Sequence, residues 1–334
     1  MDRELKLTLT LLSFLLLASG LLLINYIPIH FFSFQFQKGF LPFALLLSSY
    51  ILFSSKTIVT QISIWIKTGH WKKYSYSFYG LALYSIIGLF WSNFNPFLFF
   101  KLAFWLVLPV WILTHNGSSI GVKELLSILI LWVPIELNSF SGFDIILKEN
   151  ISIPAIPFVA SGLGLYLFTV LRPTHNVGFS FLLSWKDLGA AFFIFLSLSF
   201  LLVPLGLFLG FIHFTQGQVS STEFLKLILG IYFLVALPEE LLFRGIIQNL
   251  LSKFFEEKHI QKARFIALFT ASIIFGLSHL NNYSPPNWNY VLMATLAGIF
   301  YGLTYIKTSK CAVSALVHCG VNLFWAIFFG ATGG

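Results

Sequence analysis

The chain predicts an all-α, polytopic transmembrane helical bundle. Of its 334 residues, 57% are hydrophobic and 18% aromatic, only 10% are charged, and the apolar residues lie in long unbroken runs. A soluble domain would carry about a quarter charged residues. Disorder needs low hydrophobicity and high net charge, the opposite of this composition. A spanning β-barrel would show alternating segments of about 10 residues rather than continuous runs. A lipid bilayer is therefore the chain's solvent, and helices are the expected spanning elements.

A hydrocarbon core about 30 Å thick needs roughly 20 apolar residues per helix. In order, the candidate spans are 7–29, 39–55, 75–92, 97–114, 125–140, 152–171, 188–213, 226–252, 263–280, 289–306 and 312–331. The first is read as a retained span rather than a cleaved signal, because apolar sequence runs on past Ala18-Ser19-Gly20 to about Ile29. The second to fifth are short or interrupted by Pro42, Pro109 or Pro134, so the expectation is eight to eleven spans. Arg172-Pro173-Thr174-His175-Asn176 breaks the pattern near the middle. It divides the chain into N-terminal helices over 1–175 and a second domain over 185–331. The 40 Phe residues read as lipid-facing bulk and compositional bias.

A net charge of +8 does not indicate a nucleic-acid partner, because Lys and Arg lie at the ends of apolar runs rather than in one patch. They set orientation instead, since cytoplasmic loops are enriched in these residues. Arg172 and Lys186, then Lys253, Lys258, Lys262 and Arg264, then Lys307 and Lys310 mark three cytoplasmic loops. The segments 214–225 and 281–288 carry one acid and no base and should face the other way. Lys56 to Lys73 forms a further basic loop in the N-terminal half. The two cysteines, Cys311 and Cys319, make neither a disulfide framework nor a structural zinc pattern.

An ionisable residue at mid-membrane costs roughly 2.5–3.5 kcal/mol on insertion scales, so each needs a partner or a function. Leu237-Pro238-Glu239-Glu240-Leu241-Leu242-Phe243-Arg244 places three charges near the centre of one span. Glu240 and Arg244, four apart, share a helix face and form the expected structural pair. Glu239 is rotated away and left for other work. Pro238 lacks a backbone N–H, and a second half-helix starting there would aim its positive end at the two glutamates. His279 lies near the end of the next span but one-sidedly reads as a hydrogen-bonded core residue. His318 and Asn322, four apart, could simply hold helices together, with Ala315 and Gly320 allowing close approach.

Taken together, these groups form a set suited to hydrolysis: one must deprotonate a water and others must stabilise the oxyanion formed at a carbonyl. Glu239 with His279 suits the first task, His318 with Asn322 the second. A metal reading uses Glu239, His279 and His318 as zinc ligands, but no HExxH motif supports it. A packing-clasp reading makes the cluster a non-catalytic scaffold. A transporter would need paired inverted repeats, and none is evident.

The motifs Glu239-Glu240-x-x-x-Arg244, Phe275-x-x-x-His279 and His318-x-x-x-Asn322 resemble, in order and without departure, those of the CPBP intramembrane proteases. That family includes the type II CAAX prenyl endopeptidases and bacteriocin-processing or self-immunity proteins. The resemblance spans roughly 185–331. It implies an endopeptidase with a polar cavity among the C-terminal helices, open toward the cytoplasm of a bacterial inner membrane. In that setting Glu239 assisted by His279 activates water, His318 and Asn322 hold the oxyanion, and Glu240 and Arg244 support them. No cofactor is required, although members were first classed as metalloproteases. The implied partner is a membrane protein or peptide, lipidated or not; an immunity protein lacking catalysis is the competing implication. In the N-terminal half, Trp132-Val133-Pro134-Ile135-Glu136-Leu137 followed by Asp144 reads as a helix end at the interface or as one wall of a substrate groove.

Overall fold

A computed structural model describes residues 2–23, 34–91, 93–114, 120–148, 151–173, 177–215, 220–282 and 285–331. The described chain is predominantly helical and divides into two compact units, Met1–Asn176 and Val177–Gly334. The last residues of the proposed first span, 24–29, and the boundary residues 174–176 lie outside the described residues.

The N-terminal unit contains α1 (Arg3–Leu23), α2 (Phe34–Ile51), α3 (Lys56–Ile66), α4 (Ser75–Trp91), α5 (Pro96–Thr114), α6 (Val122–Glu136) and α7 (Ile156–Leu165). Between α6 and α7 a short antiparallel pair forms, β1 (Asp144–Lys148) with β2 (Ile151–Pro154). Two polar groups in this unit bond between helices: Tyr76 Oη donates to the Val159 carbonyl at 3.2 Å, and Ser77 Oγ to that of Leu106 at 2.9 Å. Such bonds meet the requirement that lipid imposes on buried donors.

The C-terminal unit begins with α8 (Trp185–Phe208) and β3 (Ile212–Phe214). A stretch helical without interruption from Ser221 to Glu257 follows: α9 (Ser221–Gly230), α10 (Leu237–Glu240) and α11 (Asn249–Glu257), joined by π-helical turns at Ile231–Ala236 and Leu241–Gln248. It is completed by α12 (Ala263–Leu277), α13 (Trp288–Thr308), α14 (Cys311–Phe328) and β4 (Phe329–Ala331). Helix α12 lies hard against α13 because glycines remove the side chains between them. A Cβ on Gly276 would fall 2.7 Å from the Val291 carbonyl, one on Gly298 3.3 Å from Ser272 Cα, and one on Gly302 against the Leu268 side chain. Gly298-x-x-x-Gly302 is thus a small-residue packing motif of the membrane type.

Two sets of contacts define the ends of this unit. At one, β3 pairs antiparallel with β4, Asn289 Nδ2 donates to the Leu209 carbonyl at 3.4 Å, and Phe211 packs on Tyr290 and Trp325. At the other, the Cys311 N–H donates to the Gly178 carbonyl at 2.8 Å, and Lys310 Nζ reaches Asp187 Oδ2 at 2.7 Å and the Leu182 carbonyl at 2.8 Å. The first end therefore gathers 209–215, 278–282, 285–290 and 325–331; the second gathers 177–187, 302–311 and the 251–264 connector.

Among the described residues, five helical segments are long and apolar enough to cross a membrane: Pro96–Thr114, Trp185–Phe208, Ala263–Asn282, Trp288–Thr308 and Cys311–Phe328. A sixth is counted if Gly39–Ser54 and Lys56–Ile66, bent by 94° at their junction, make one span. Other apolar runs among the eight to eleven expected from the sequence fall outside this length-and-composition count. Helix α6 stops at Glu136 after 15 residues, residues 152–154 are extended, and the 221–257 stretch carries its charged cluster and π turns. The outer face of α8 exposes Phe192, Phe193, Phe200 and Phe208, as lipid contact requires. The chain is an integral multi-pass membrane protein.

Candidate active site

Pro238 does not start a new half-helix. Leu237 stays helical (φ −67°, ψ −47°) and the helix continues through the proline. The cost of the missing N–H is absorbed by the π-helical turns on either side, whose wider hydrogen bonding relieves the ring's clash with the preceding turn. The widened helix presents Glu239 and Glu240 differently to the α14 face, and the two neighbours diverge in environment.

Glu240 is wholly buried. Its Oε2 accepts from Arg244 Nε at 3.0 Å and from Ser314 Oγ at 2.6 Å, and its Oε1 lies 3.0 Å from His318 Nδ1. The pair with Arg244 is the one that four-residue spacing predicts. Arg244, also at zero exposure, sets its guanidinium 5.1 Å above the Phe275 ring centroid and 5.9 Å from that of Tyr301, while Nη1 and Nη2 have no hydrogen-bond partner among the described residues. The ring faces thus take the place of donors' partners for a buried cation.

Glu239 is the exception in the cluster. Its side chain is 32% exposed, yet Oε2 is a buried atom with no hydrogen-bond partner among the described residues. His318 Nε2 stands 3.8 Å away, beyond hydrogen-bond range. A carboxylate oxygen left unsatisfied in an apolar interior is costly unless something else, such as a water or a substrate, completes it.

The imidazoles are held by their Nδ1 atoms. His279 Nδ1 is 2.8 Å from the Phe275 carbonyl, which can only accept, so Nδ1 carries the proton and Nε2 is left as a base or acceptor. His318 Nδ1 faces the Glu240 carboxylate in the same way, and its ring stacks on Tyr301 with centroids 4.5 Å apart. Phe275 packs edge-on against both histidines, at 4.8 and 5.8 Å. The phenylalanine of the FxxxH motif therefore fixes His279 through its carbonyl and both imidazoles through its ring.

Glu239, His279, His318 and Asn322 all line one cavity of about 350 Å3, together with Tyr290, Tyr301 and an apolar wall that includes Leu202, Val235, Met293 and Trp325. Glu240 and Arg244 lie behind it. The expected partnership of Glu239 with His279 is not a direct hydrogen bond; His318 is the imidazole beside Glu239. Ser314 and Tyr301 were not singled out from the sequence. Ser314 had a signal, since it precedes His318 by four as His318 precedes Asn322. Gly320 faces Phe195 of α8 rather than a polar partner. In the N-terminal unit, Glu136 ends α6 and accepts from Trp132 Nε1 at 2.7 Å, one turn earlier, and Asp144 opens β1.

The residues do not fit a zinc centre as they are placed. Among the described residues no three His, Cys, Asp or Glu side chains are grouped to hold a metal ion.

The fold and these side chains define a membrane-embedded helical protein with a carboxylate, two imidazoles and a carboxamide around an internal cavity. Residues 221–324 match the family model described as Type II CAAX prenyl endopeptidase Rce1-like, a match covering α9 through most of α14 and just under a third of the chain. It includes all three motifs, and it supports protease activity for this segment. No curated protein and no solved structure matches the chain.

Proposed function

We propose that the protein is an intramembrane endopeptidase that hydrolyses a peptide bond with a glutamate-activated water. The observation that carries this reading is the unpartnered Glu239 Oε2 at the wall of a cavity shared with His279, His318 and Asn322. A water bound there gives its proton to Glu239 as its oxygen attacks the scissile carbonyl. The carbonyl π electrons move to oxygen, and the resulting oxyanion accepts from His318 Nε2–H and Asn322 Nδ2–H. When the intermediate collapses, the C–N bond breaks and the proton on Glu239 passes to the leaving amine. His279, with Nε2 free, orients the attacking water.

One consequence concerns His318. Its Nδ1 already donates to Glu240, so an Nε2–H donor requires the imidazolium form. That form balances the cluster: two glutamates against Arg244 and His318 sum to zero charge, the least costly state in a low-dielectric interior. Glu240 thus acts as a positioning residue for His318.

The substrate is a membrane-associated protein or peptide. The apolar wall of Leu202, Val203, Met293 and Phe324 suits an apolar or lipidated segment, and prenylated tails of the kind named in the family description are one such class. The test is Glu239→Gln, which keeps shape and removes basicity. Peptide termini in membranes containing either chain identify the substrate that accumulates uncut. On that peptide, cleavage by the variant should fall by about 10²–10⁴ with the unfolding midpoint unchanged. Normal cleavage would overturn the assignment, and a chain that fails to fold would favour the clasp reading.

A further inference from the structure

Helix α3 is too short to cross a membrane by itself. It turns 94° from the Gly39–Ser54 helix at Ser55, whose extended backbone (φ −104°, ψ 117°) ends one helix while its side chain caps the next, accepting from the Ile58 N–H at 3.4 Å. Its 11 residues make a rod about 16 Å long at 1.5 Å per residue, about half the thickness of a hydrocarbon core. Both ends carry exposed lysines, Lys56 and Lys67. A short helix set across its neighbour, with a cation at each end, fits the membrane–water interface rather than the bilayer core.

The helix has two unlike faces. Inward, Ile66 is buried and Ser63 Oγ donates to the Val170 carbonyl at 3.4 Å. Outward, Ile64 and Trp65 are exposed, and the helical turn His70–Tyr74 that follows adds Trp71, which is 62% exposed. The Tyr166 hydroxyl donates to the Lys73 carbonyl at 2.8 Å and ties this turn to the N-terminal unit. Trp71 meets Trp65 edge-on with ring centroids 6.1 Å apart, and Lys72 Nζ stands 5.1 Å from the Trp65 centroid and 5.9 Å from that of Trp71. The same Nζ donates to Thr68 Oγ1 at 2.5 Å. One ammonium is thus held in place between two indoles, side chains that favour the depth of lipid headgroups.

The charge of this surface is one-sided. No Asp or Glu occurs between Glu4 and Glu124. Asp2 and Glu4 are engaged at the start of α3, where Asp2 Oδ2 accepts from the Thr57 hydroxyl at 3.3 Å and Glu4 Oε2 from the Lys56 N–H at 3.5 Å. At the other end, Lys67, Lys72 and Lys73 have no acid partner among the described residues.

We propose that Trp65, Lys67, Trp71, Lys72 and Lys73 form a binding site for the headgroup of an anionic phospholipid. The phosphodiester supplies the negative charge that the chain lacks there, and the exposed indoles pack beside it at the interface. A zwitterionic headgroup is a poorer match, because Lys72 already fills the place between the indoles that a choline cation would take. The site lies outside residues 221–324, which the family model matches, and stands independently of the peptidase reading.

The test reads lipid preference at the two indoles. The purified full chain is placed in phosphatidylcholine vesicles that contain rising fractions of acyl-brominated phosphatidylglycerol or acyl-brominated phosphatidylcholine. Quenching at the site is the difference between the parent and the double variant Trp65→Phe, Trp71→Phe. Half-quenching should need a fraction of phosphatidylglycerol about tenfold lower than of phosphatidylcholine, and Lys67→Gln and Lys72→Gln should each narrow that preference about fivefold. Lys186→Gln, which removes an exposed lysine elsewhere, should leave it unchanged. Equal quenching by the two lipids, a preference that survives both site changes, or one lost equally in Lys186→Gln overturns the proposal. Relief of the quenching by inorganic phosphate at constant ionic strength overturns it as well, by reassigning the surface to a soluble anion.

Discussion

In the N-terminal unit, Glu124 is buried in the first turn of α6, where Oε2 accepts from the Gly121 N–H at 2.7 Å and Oε1 lies 2.5 Å from Arg172 Nε. In the C-terminal unit, Glu240 is buried against Arg244, Ser314 and His318. Both sites take an acid and an arginine out of water. The first sets one acid against one arginine and a helix cap, and none of these residues lines the cavity. The second carries a further acid, Glu239, whose Oε2 has no hydrogen-bond partner among the described residues and lines a cavity, with the His318 imidazole 3.8 Å away. A buried ion pair by itself says little about function. The surplus carboxylate facing a cavity is what distinguishes a site from a clasp.

The sharpest way to break that comparison is to remove each acid. Glu240→Ala leaves Arg244 at zero exposure with only aromatic rings around it, and should destabilise the protein by about 3–5 kcal/mol. Glu124→Ala should cost about 1 kcal/mol, chiefly the lost cap, because Arg172 is 16% exposed and can turn to polar surroundings. Unfolding in detergent, followed for both variants, checks this. Equal losses would mean that the two pairs do the same structural work.

Asn322 sharpens the comparison from the catalytic side. Its amide lines the cavity without belonging to the Glu240 network. Asn322→Ala should lower kcat by about 10²–10³, the loss typical of one oxyanion donor, with the unfolding midpoint unchanged. A fall in stability with no change in kcat would move Asn322 to the packing side of the ledger.

Ser314→Ala lies on that structural side. It removes one of three hydrogen bonds to Glu240 and should cost about 1 kcal/mol of stability. The same hydroxyl sits 2.8 Å from the Tyr301 carbonyl, so the variant also loosens α14 on α13.

The parts legible in the sequence were those set by spacing within one helix. Four-residue separation predicted the Glu240–Arg244 bond and the shared face of His318 and Asn322, because rise and turn are fixed by the helix itself. The cavity-lining set followed from the cost of polar groups in lipid. What the sequence did not display depends on packing between helices. The stack of Tyr301 under His318 joins α13 to α14, and the choice of His318 rather than His279 beside Glu239 depends on how α12 seats against α13 at Gly276 and Gly302. Pro238 misled for a local reason: its expected break is replaced by π turns, which no residue pattern announces. The short strands β1 to β4 lie at the edges of apolar runs, where hydropathy alone extends a helix too far.

The smallest expected effect is that of chelation. A metal-dependent version of the reaction would need Glu239, His279 and His318 to converge on one ion. Such a site would use His318 Nε2, His279 Nε2 and a Glu239 oxygen, and among the described residues these are not grouped closely enough to hold one ion. Cleavage of the identified peptide by purified protein should therefore be unchanged after exhaustive dialysis against a chelator. Loss of activity restored by zinc would require the α12–α13 seam to shift so that His279 Nε2 joins His318 Nε2 and Glu239 on one ion. It would also turn the unpartnered oxygen of Glu239 from a base awaiting water into a ligand awaiting its ion.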